Sequence, residues 1–101
     1  MNSCEFMGYS FFVDERVLIP RQDTECLVEE AVRLVKSIEE RDCLSPPVRV
    51  LDLCTGSGCI GISIKKLCPG SDVTLSDISG EALFVARYNA CNLQVQVELV
   101  Q

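Results

Sequence analysis

The sequence contains no histidine. That removes His-ligated metal sites and the Ser-His or Cys-His dyads of nucleophilic catalysis. It also lacks any Cys-x-x-Cys pair, although Cys4, Cys26, Cys43, Cys54, Cys59, Cys68 and Cys91 make 7 cysteines in 101 residues. An odd number of thiols scattered through periodic segments argues against a disulfide framework or a metal site. It predicts reduced, mostly buried cysteines in a cytoplasmic protein. No basic segment followed by an apolar run opens the chain, so no secretory leader is expected. No apolar stretch is long enough to span a bilayer, and no membrane association is expected. Basic residues are in the minority, 9 Lys+Arg against 15 Asp+Glu, for a formal net charge of −6. That balance excludes a bulk electrostatic grip on nucleic-acid phosphates.

What remains is the composition of a folded domain, 48% hydrophobic and 24% charged. The length allows at most one domain, with a modest core and marginal stability. Phe11-Phe12-Val13 and Val17-Leu18-Ile19 flank Asp14-Glu15-Arg16, which predicts a short β-hairpin or an extended arm turning at those polar residues. Asp23 or Thr24 can cap a helix with Glu25 in its first turn. Leu27, Val28, Ala31, Val32, Leu34, Val35 and Ile38 then recur at steps of three and four, an amphipathic helix to about Arg41. Ser45-Pro46-Pro47 stops it. Val48 to Leu53 reads as a buried strand, followed by the turn Cys54-Thr55-Gly56-Ser57-Gly58 and a helix from Cys59 to Cys68 with Ile60, Ile62, Ile64 and Leu67 inward. A second strand, Val73 to Ser76, ends at Asp77. Ser79 caps a third helix over Gly80 to Cys91 that buries Ala82, Leu83, Val85, Ala86 and Tyr88, and Val95 to Val100 forms a third strand. Alternation at this spacing predicts an open α/β fold with a partial, Rossmann-like parallel sheet. The third strand has no following helix, so the chain reads as a fragment with an unpaired apolar edge.

The chemistry concentrates in the segment from Val50 to Gly61. A strand ends, glycines allow close backbone approach, and a helix N-terminus offers free N–H groups. Two cofactors fit the pattern. Gly56-x-Gly58-x-x-Gly61, with Asp77 following, matches the dinucleotide fingerprint. Asp52, however, closes the strand just before the turn. A carboxylate there suits the cationic amino-acid portion of S-adenosylmethionine and would sit poorly beside a pyrophosphate. Asp-x-x-x-Gly-x-Gly is moreover the arrangement of the first methyltransferase motif. Asp77, at the end of the second strand, can accept bonds from ribose hydroxyls of either cofactor. A purely structural reading is that the glycines serve tight packing while both aspartates cap helices.

Val17-Leu18-Ile19-Pro20-Arg21-Gln22-Asp23-Thr24-Glu25, Leu51-Asp52-Leu53-Cys54-Thr55-Gly56-Ser57-Gly58-Cys59-Ile60, Asp77-Ile78-Ser79 and Asn89-Ala90 together resemble the release-factor glutamine methyltransferases. The resemblance covers nearly the whole chain from about Glu5. It implies the first three strands of a class I S-adenosylmethionine-dependent methyltransferase, with residues 1–22 as arm or linker and 23–101 as the front half of the cofactor domain. It implies methyl transfer to the side-chain amide of glutamine in the Gly-Gly-Gln motif of peptide chain release factors. Carried over residue by residue, Cys54, Thr55, Gly56, Ser57 and Gly58 line the methionine and ribose side of the cofactor. Asp77 binds the ribose, Ile78 lies against adenine, and Asp52 holds the turn and faces the cofactor's amino group. Arg21, Thr24 and Glu25 approach the active-site mouth, or else cap the first helix and brace the arm. Cys54 stands where the commonest family turn has glycine, a substitution that a negative φ would accommodate. The Asn-Pro-Pro-Tyr element that grips the substrate amide is not among these residues, so the chain alone is expected to be inactive, and no metal is implied. Two further readings stay open: a non-catalytic remnant that binds S-adenosylmethionine, and an NAD-binding half-domain.

Overall fold

A computed structural model describes residues 2–41 and 46–101. An antiparallel hairpin, β1 (Ser3–Phe6) and β2 (Tyr9–Phe12), leads through a 3-10 turn at Gln22–Thr24 into α1 (Glu25–Arg41). Then follow β3 (Arg49–Leu53), α2 (Cys59–Leu67), β4 (Asp72–Ser76), α3 (Gly80–Asn92) and β5 (Glu98–Val100). The last three strands form one parallel sheet in the order β3-β4-β5. The expected α/β fold with a three-stranded parallel sheet is therefore present.

Register sets which side chains share a face. Val50 lies beside Val73, and Asp52, Leu75 and Leu99 form one row across the sheet. The fully buried Leu75 and Val73 join Ile62, Ile64 and Cys59 of α2, Ala86 and Ala90 of α3, and Val28 of α1 in the core. Phe6 and Phe11 of the hairpin belong to that same cluster, so the hairpin is packed into the core. The opposite row, Leu53, Ser76 and Val100, has no helix over it among the described residues. This corrects the reading of Val48–Leu53 as a buried strand: Leu51 is 59% and Leu53 67% exposed. The apolar run is real, but the helices described here cover only one sheet face.

Other expectations need similar correction. The hairpin closes at Met7-Gly8, not at Asp14-Glu15-Arg16. Met7 and Gly8 have φ of 54° and 82°, the two positive values that a two-residue type I′ loop requires. Asp14–Val17 does turn, with the Val17 N–H donating to the Asp14 carbonyl, but it redirects the chain after β2. Arg16 grips the Asp14 carboxylate there and holds it below the ordinary carboxylate range. No side-chain cap from Asp23 or Thr24 precedes α1; the 3-10 turn runs straight into it. Leu27, Leu34 and Tyr88 lie exposed on the flanks of their helices, while Leu83 is half-buried. The Ser79 cap is present, its Oγ accepting from the Ala82 N–H at 3.1 Å. The third strand is shorter than expected, at Glu98–Val100. Ser45 and Cys43 lie outside the described residues. Of the other cysteines only Cys59 and Cys68 are buried, whereas Cys26, Cys54 and Cys91 are exposed, so the thiols are not mostly core residues.

Within α2, the Ser63 hydroxyl is buried and finds no hydrogen-bond partner. A buried polar group left unpaired costs about 1–3 kcal/mol, and alanine favours helix over serine. Ser63→Ala is expected to stabilise the chain by about 1 kcal/mol, a Tm rise of roughly 4–8 °C for a domain of this size. Thermal unfolding followed by circular dichroism checks it; a lower Tm would contradict it.

Candidate cofactor site

The site forms where β3 and β4 end side by side. Beyond Leu53 the chain enters the left-handed region at Cys54, Gly56 and Gly58, with φ of 58°, 56° and 86°. This overturns the expectation of a negative φ at Cys54. The turn needs the left-handed conformation to send the Thr55 N–H to the Ser76 carbonyl, 2.9 Å away, and so tie β3's exit to β4's end. A non-glycine residue held there costs roughly 1–2 kcal/mol. Cys54→Gly removes that strain but adds freedom to the unfolded chain, for a net gain of up to about 1 kcal/mol. We expect a higher urea midpoint at unchanged m; a lower midpoint would show that the thiol is held by favourable contacts.

Two carboxylates organise the turn. Asp52 reaches under it, and its Oδ2 accepts from the Thr55 hydroxyl at 2.8 Å and the Gly61 N–H at 3.0 Å. Asp77 flanks it, Oδ2 accepting from the Gly56 N–H at 3.0 Å and Oδ1 from the Ser79 N–H at 2.9 Å. Gly58 N–H donates to the Thr55 carbonyl. A Cβ at Gly58 would meet Ile62 Cδ1 at 2.8 Å and Ala86 Cβ at 3.2 Å, so this glycine serves the close approach of the turn to α3 as well as its φ. The nearby Cys59 thiol is pushed up to about 11 by burial and stays protonated at neutral pH.

Burial likewise pushes the Asp52 carboxyl above its ordinary range, with the Asp77 charge adding to the effect and the bonds from Thr55 and Gly61 opposing it. A carboxyl raised on folding binds its proton more tightly in the native state. Its stabilising contribution is complete below the unfolded-state value and is lost as pH rises through the raised one. We expect the chain to lose stability on that rise and Asp52→Asn to flatten the dependence. Urea midpoints measured for both across mildly acidic pH test this; parallel curves would contradict it.

Beside the turn lies a cleft of about 430 Å³, within the size range of small-molecule sites. One wall is Cys54, Thr55, Gly56 and Ser57 with Asp77 and Ser79; the other is the stretch Arg16 to Arg21 with Thr24. The structure thus brings together Cys54, Thr55, Gly56, Ser57, Asp77, Arg21 and Thr24. Asp52 and Gly58 lie behind this lining and support it. Ile78 stands outside it, 90% exposed at the head of the loop before α3. Glu25 is elsewhere: its Oε2 accepts from the Met7 N–H at 2.7 Å, bracing the strained hairpin loop. Arg21 pairs loosely with Asp23 across 3.5 Å in solvent. A larger hollow of about 800 Å³ lies between the hairpin and Val17–Ile19, but no glycine turn or helix start opens onto it. Sequence reasoning missed Arg16, Ser79 and Ala82 as lining, and it missed the role of Asn89, described below. Among the described residues no group of three or more His, Cys, Asp or Glu side chains could hold a metal ion. No helix among them is long and apolar enough to cross a membrane.

The donor chemistry discriminates between cofactors. The Gly56 and Gly61 N–H groups, of the kind a phosphate would seek at a glycine turn, already donate to carboxylates. Each carboxylate keeps unused lone pairs, so Asp77 can still accept from two hydroxyls. With those N–H groups occupied and the Asp77 carboxylate free to accept, the turn favours a ligand with vicinal hydroxyls over a pyrophosphate.

Comparison with known proteins agrees. The release factor glutamine methyltransferase of Chlorobaculum tepidum is 49% identical over 85 residues, 84% of this chain and 28% of the relative. The chain thus spans less than a third of that relative's length. Among solved structures, the ribosomal protein L11 methylase of Lactobacillus delbrueckii subsp. bulgaricus superposes with a TM-score of 0.57 at 29% identity, covering 80% of this chain and 38% of that one. The Pyrococcus abyssi tRNA (uracil-54, C5)-methyltransferase, in complex with S-adenosyl-L-homocysteine, gives 0.73 over 99% of this chain and 23% of that one. At 20% identity the latter is a likeness of fold alone. The profile of the methyltransferase small domain matches residues 30–101. The chain belongs to the methyltransferase small domain family and, within it, is similar to the release factor glutamine methyltransferases.

Proposed function

We propose that this chain is the cofactor-binding portion of an S-adenosylmethionine-dependent enzyme that methylates the side-chain amide of glutamine in peptide chain release factors, acting in the cytoplasm. The observation that carries the cofactor reading is the paired use of Asp52 and Asp77 to hold the turn's N–H groups, which leaves the Asp77 carboxylate, and not those N–H groups, for a ligand at the turn. The relative at 49% identity supports the substrate. In this reading residues 1–22 are an arm that walls the cleft of the 23–101 portion. Cys54, Thr55, Gly56, Ser57 and Gly58 shape the methionine and ribose side, with Asp52 behind them as the charge facing the amino group. Asp77 holds the ribose hydroxyls, and Ile78 offers its exposed side chain to the adenine. Arg21 and Thr24 stand at the mouth, and Glu25 keeps the arm in place.

Bound here, S-adenosylmethionine supplies an activated methyl group on a sulfonium. The residues of this chain bind and orient it; much of the rate of such a transfer comes from alignment. The residues needed to grip the substrate amide are not among these, so the chain by itself is expected to transfer nothing. The experiment is incubation of the longer parent protein with radiolabelled S-adenosylmethionine and a release factor. Label is expected in the factor and not in its Gly-Gly-Gln→Gly-Gly-Ala variant; equal labelling of both would reject the glutamine assignment.

A further inference from the structure

Asn89 sits in the last turn of α3 and is 0% exposed. Its Nδ2 donates to the Phe12 carbonyl at 3.0 Å and to the Ser57 carbonyl at 2.9 Å. Its Oδ1 accepts from the Phe12 N–H at 2.7 Å. Both donors and one acceptor position of the amide are thus used, and a flipped amide would set its oxygen against two carbonyls. Asparagine is a poor helix former, and nothing local to α3 accounts for it. Its partners are far apart in the sequence. Phe12 ends β2, and the chain continues from it through the Asp14–Val17 turn into the Arg16–Arg21 wall. Ser57 belongs to the glycine turn that forms the opposite wall. One buried side chain therefore fastens both walls of the cleft to α3. The arm also packs Phe11 into the core cluster that holds Ala86 and Ala90 of α3, and makes two half-exposed links to that helix: the Phe12 ring edge-on to Tyr88 at 5.3 Å, and Arg16 over the Phe84 ring at 5.5 Å.

We propose that Asn89 is a positioning residue that couples the arm to the cofactor turn, so that a ligand in the cleft tightens the arm and a loosened arm weakens the ligand. The proposal rests on the cofactor reading above. Coupling of this kind is reciprocal: whatever the docked arm adds to ligand affinity, the ligand adds to arm docking. Aspartate is nearly isosteric, can accept the Phe12 N–H, and cannot donate to either carbonyl. Asn89→Asp therefore breaks the link to Ser57 while preserving the volume of the side chain.

The test is hydrogen exchange of the 101-residue chain with and without S-adenosylhomocysteine, together with calorimetric titration of the same ligand. In the wild type, ligand is expected to slow exchange both at the turn amides and at Phe12 and its arm neighbours. In Asn89→Asp, affinity is expected to fall about tenfold, the turn to remain protected by ligand, and the arm to lose its ligand-dependent protection. A merely structural role would lower stability without uncoupling arm from turn. A folded Asn89→Asp that binds as the wild type does, or whose arm is still protected by ligand, overturns the proposal. Should that variant not fold, the wild type decides alone: bound ligand with no slowing in the arm overturns the coupling. No binding of the ligand at all by the wild type overturns the cofactor reading and the coupling with it.

Discussion

Asp77→Ala is expected to weaken S-adenosylhomocysteine binding about a hundredfold, because charge-assisted hydrogen bonds contribute roughly 1.5–3 kcal/mol each and the variant loses several at once. The Asp77 carboxylate has two duties. It fixes the Gly56 and Ser79 N–H groups, which shape the loop at the end of β4, and it presents its remaining lone pairs to the cleft. Asp77→Asn separates them. The amide oxygen can still accept one N–H and one hydroxyl, so its loss is expected to be nearer tenfold. Calorimetric titration of wild type and both variants measures this, with circular dichroism to establish that each is folded. An Asp77→Ala chain that is folded and binds as tightly as the wild type would remove Asp77 from the site.

The largest loss of stability is expected at Gly61. Its φ is ordinary, so the demand for glycine is spatial. A Cβ there would lie 2.3 Å from Leu75 Cδ2 and 3.1 Å from Asp52 Oδ2. Leu75 is fully buried in the core, so its methyl can withdraw only by displacing packed neighbours. Either the leucine is driven off its packing or the helix lifts from the sheet, and in the second case the Gly61 N–H bond to Asp52 lengthens with it. Alanine's better helix propensity returns about 1 kcal/mol, against overpacking of 1–3 kcal/mol and a damaged charge-assisted bond of similar size. The net cost is about 2 kcal/mol or more, a large share of the stability of so small a domain. Thermal unfolding of Gly61→Ala should fall by roughly 10 °C. Combination with Leu75→Ala should cost less than the sum of the single changes, since the second makes room for the first. Strict additivity would contradict the steric account.

These two residues also mark what could be read in the sequence. The glycine turn between a strand and a helix, with an aspartate ending the next strand, is a local pattern, and it located the cleft wall from Cys54 to Ser57 together with Asp77. The third glycine of the pattern packs helix on sheet, a duty of the motif that does not depend on which cofactor binds. The amphipathic spacing of α1 and the Ser79 cap were equally local and equally legible. What failed depends on contacts distant in sequence or on faces that no pattern specifies. Met7-Gly8 is not the Asn-Gly or Asp-Gly pair that advertises a type I′ loop, and the more polar Asp14-Glu15-Arg16 drew the hairpin away from it. The support for Met7 comes from Glu25, on another element. Leu51 and Leu53 have the composition of a strand covered on both sides, yet the described helices lie on one. Cys54 carries no mark of its left-handed backbone, which follows from the pairing of Thr55 with Ser76. Asn89 looks like one more polar residue on a helix until Phe12 and Ser57 are brought to it.

We propose that the cleft beside Asp77 takes a ribose-bearing methyl donor and not a dinucleotide. The most direct measurement is calorimetric titration of the chain with S-adenosylmethionine, S-adenosylhomocysteine and NADH in parallel. Saturable one-to-one binding of the first two is expected, weakened about a hundredfold in Asp77→Ala, with no binding of NADH. Saturable binding of NADH in place of the other two would contradict it.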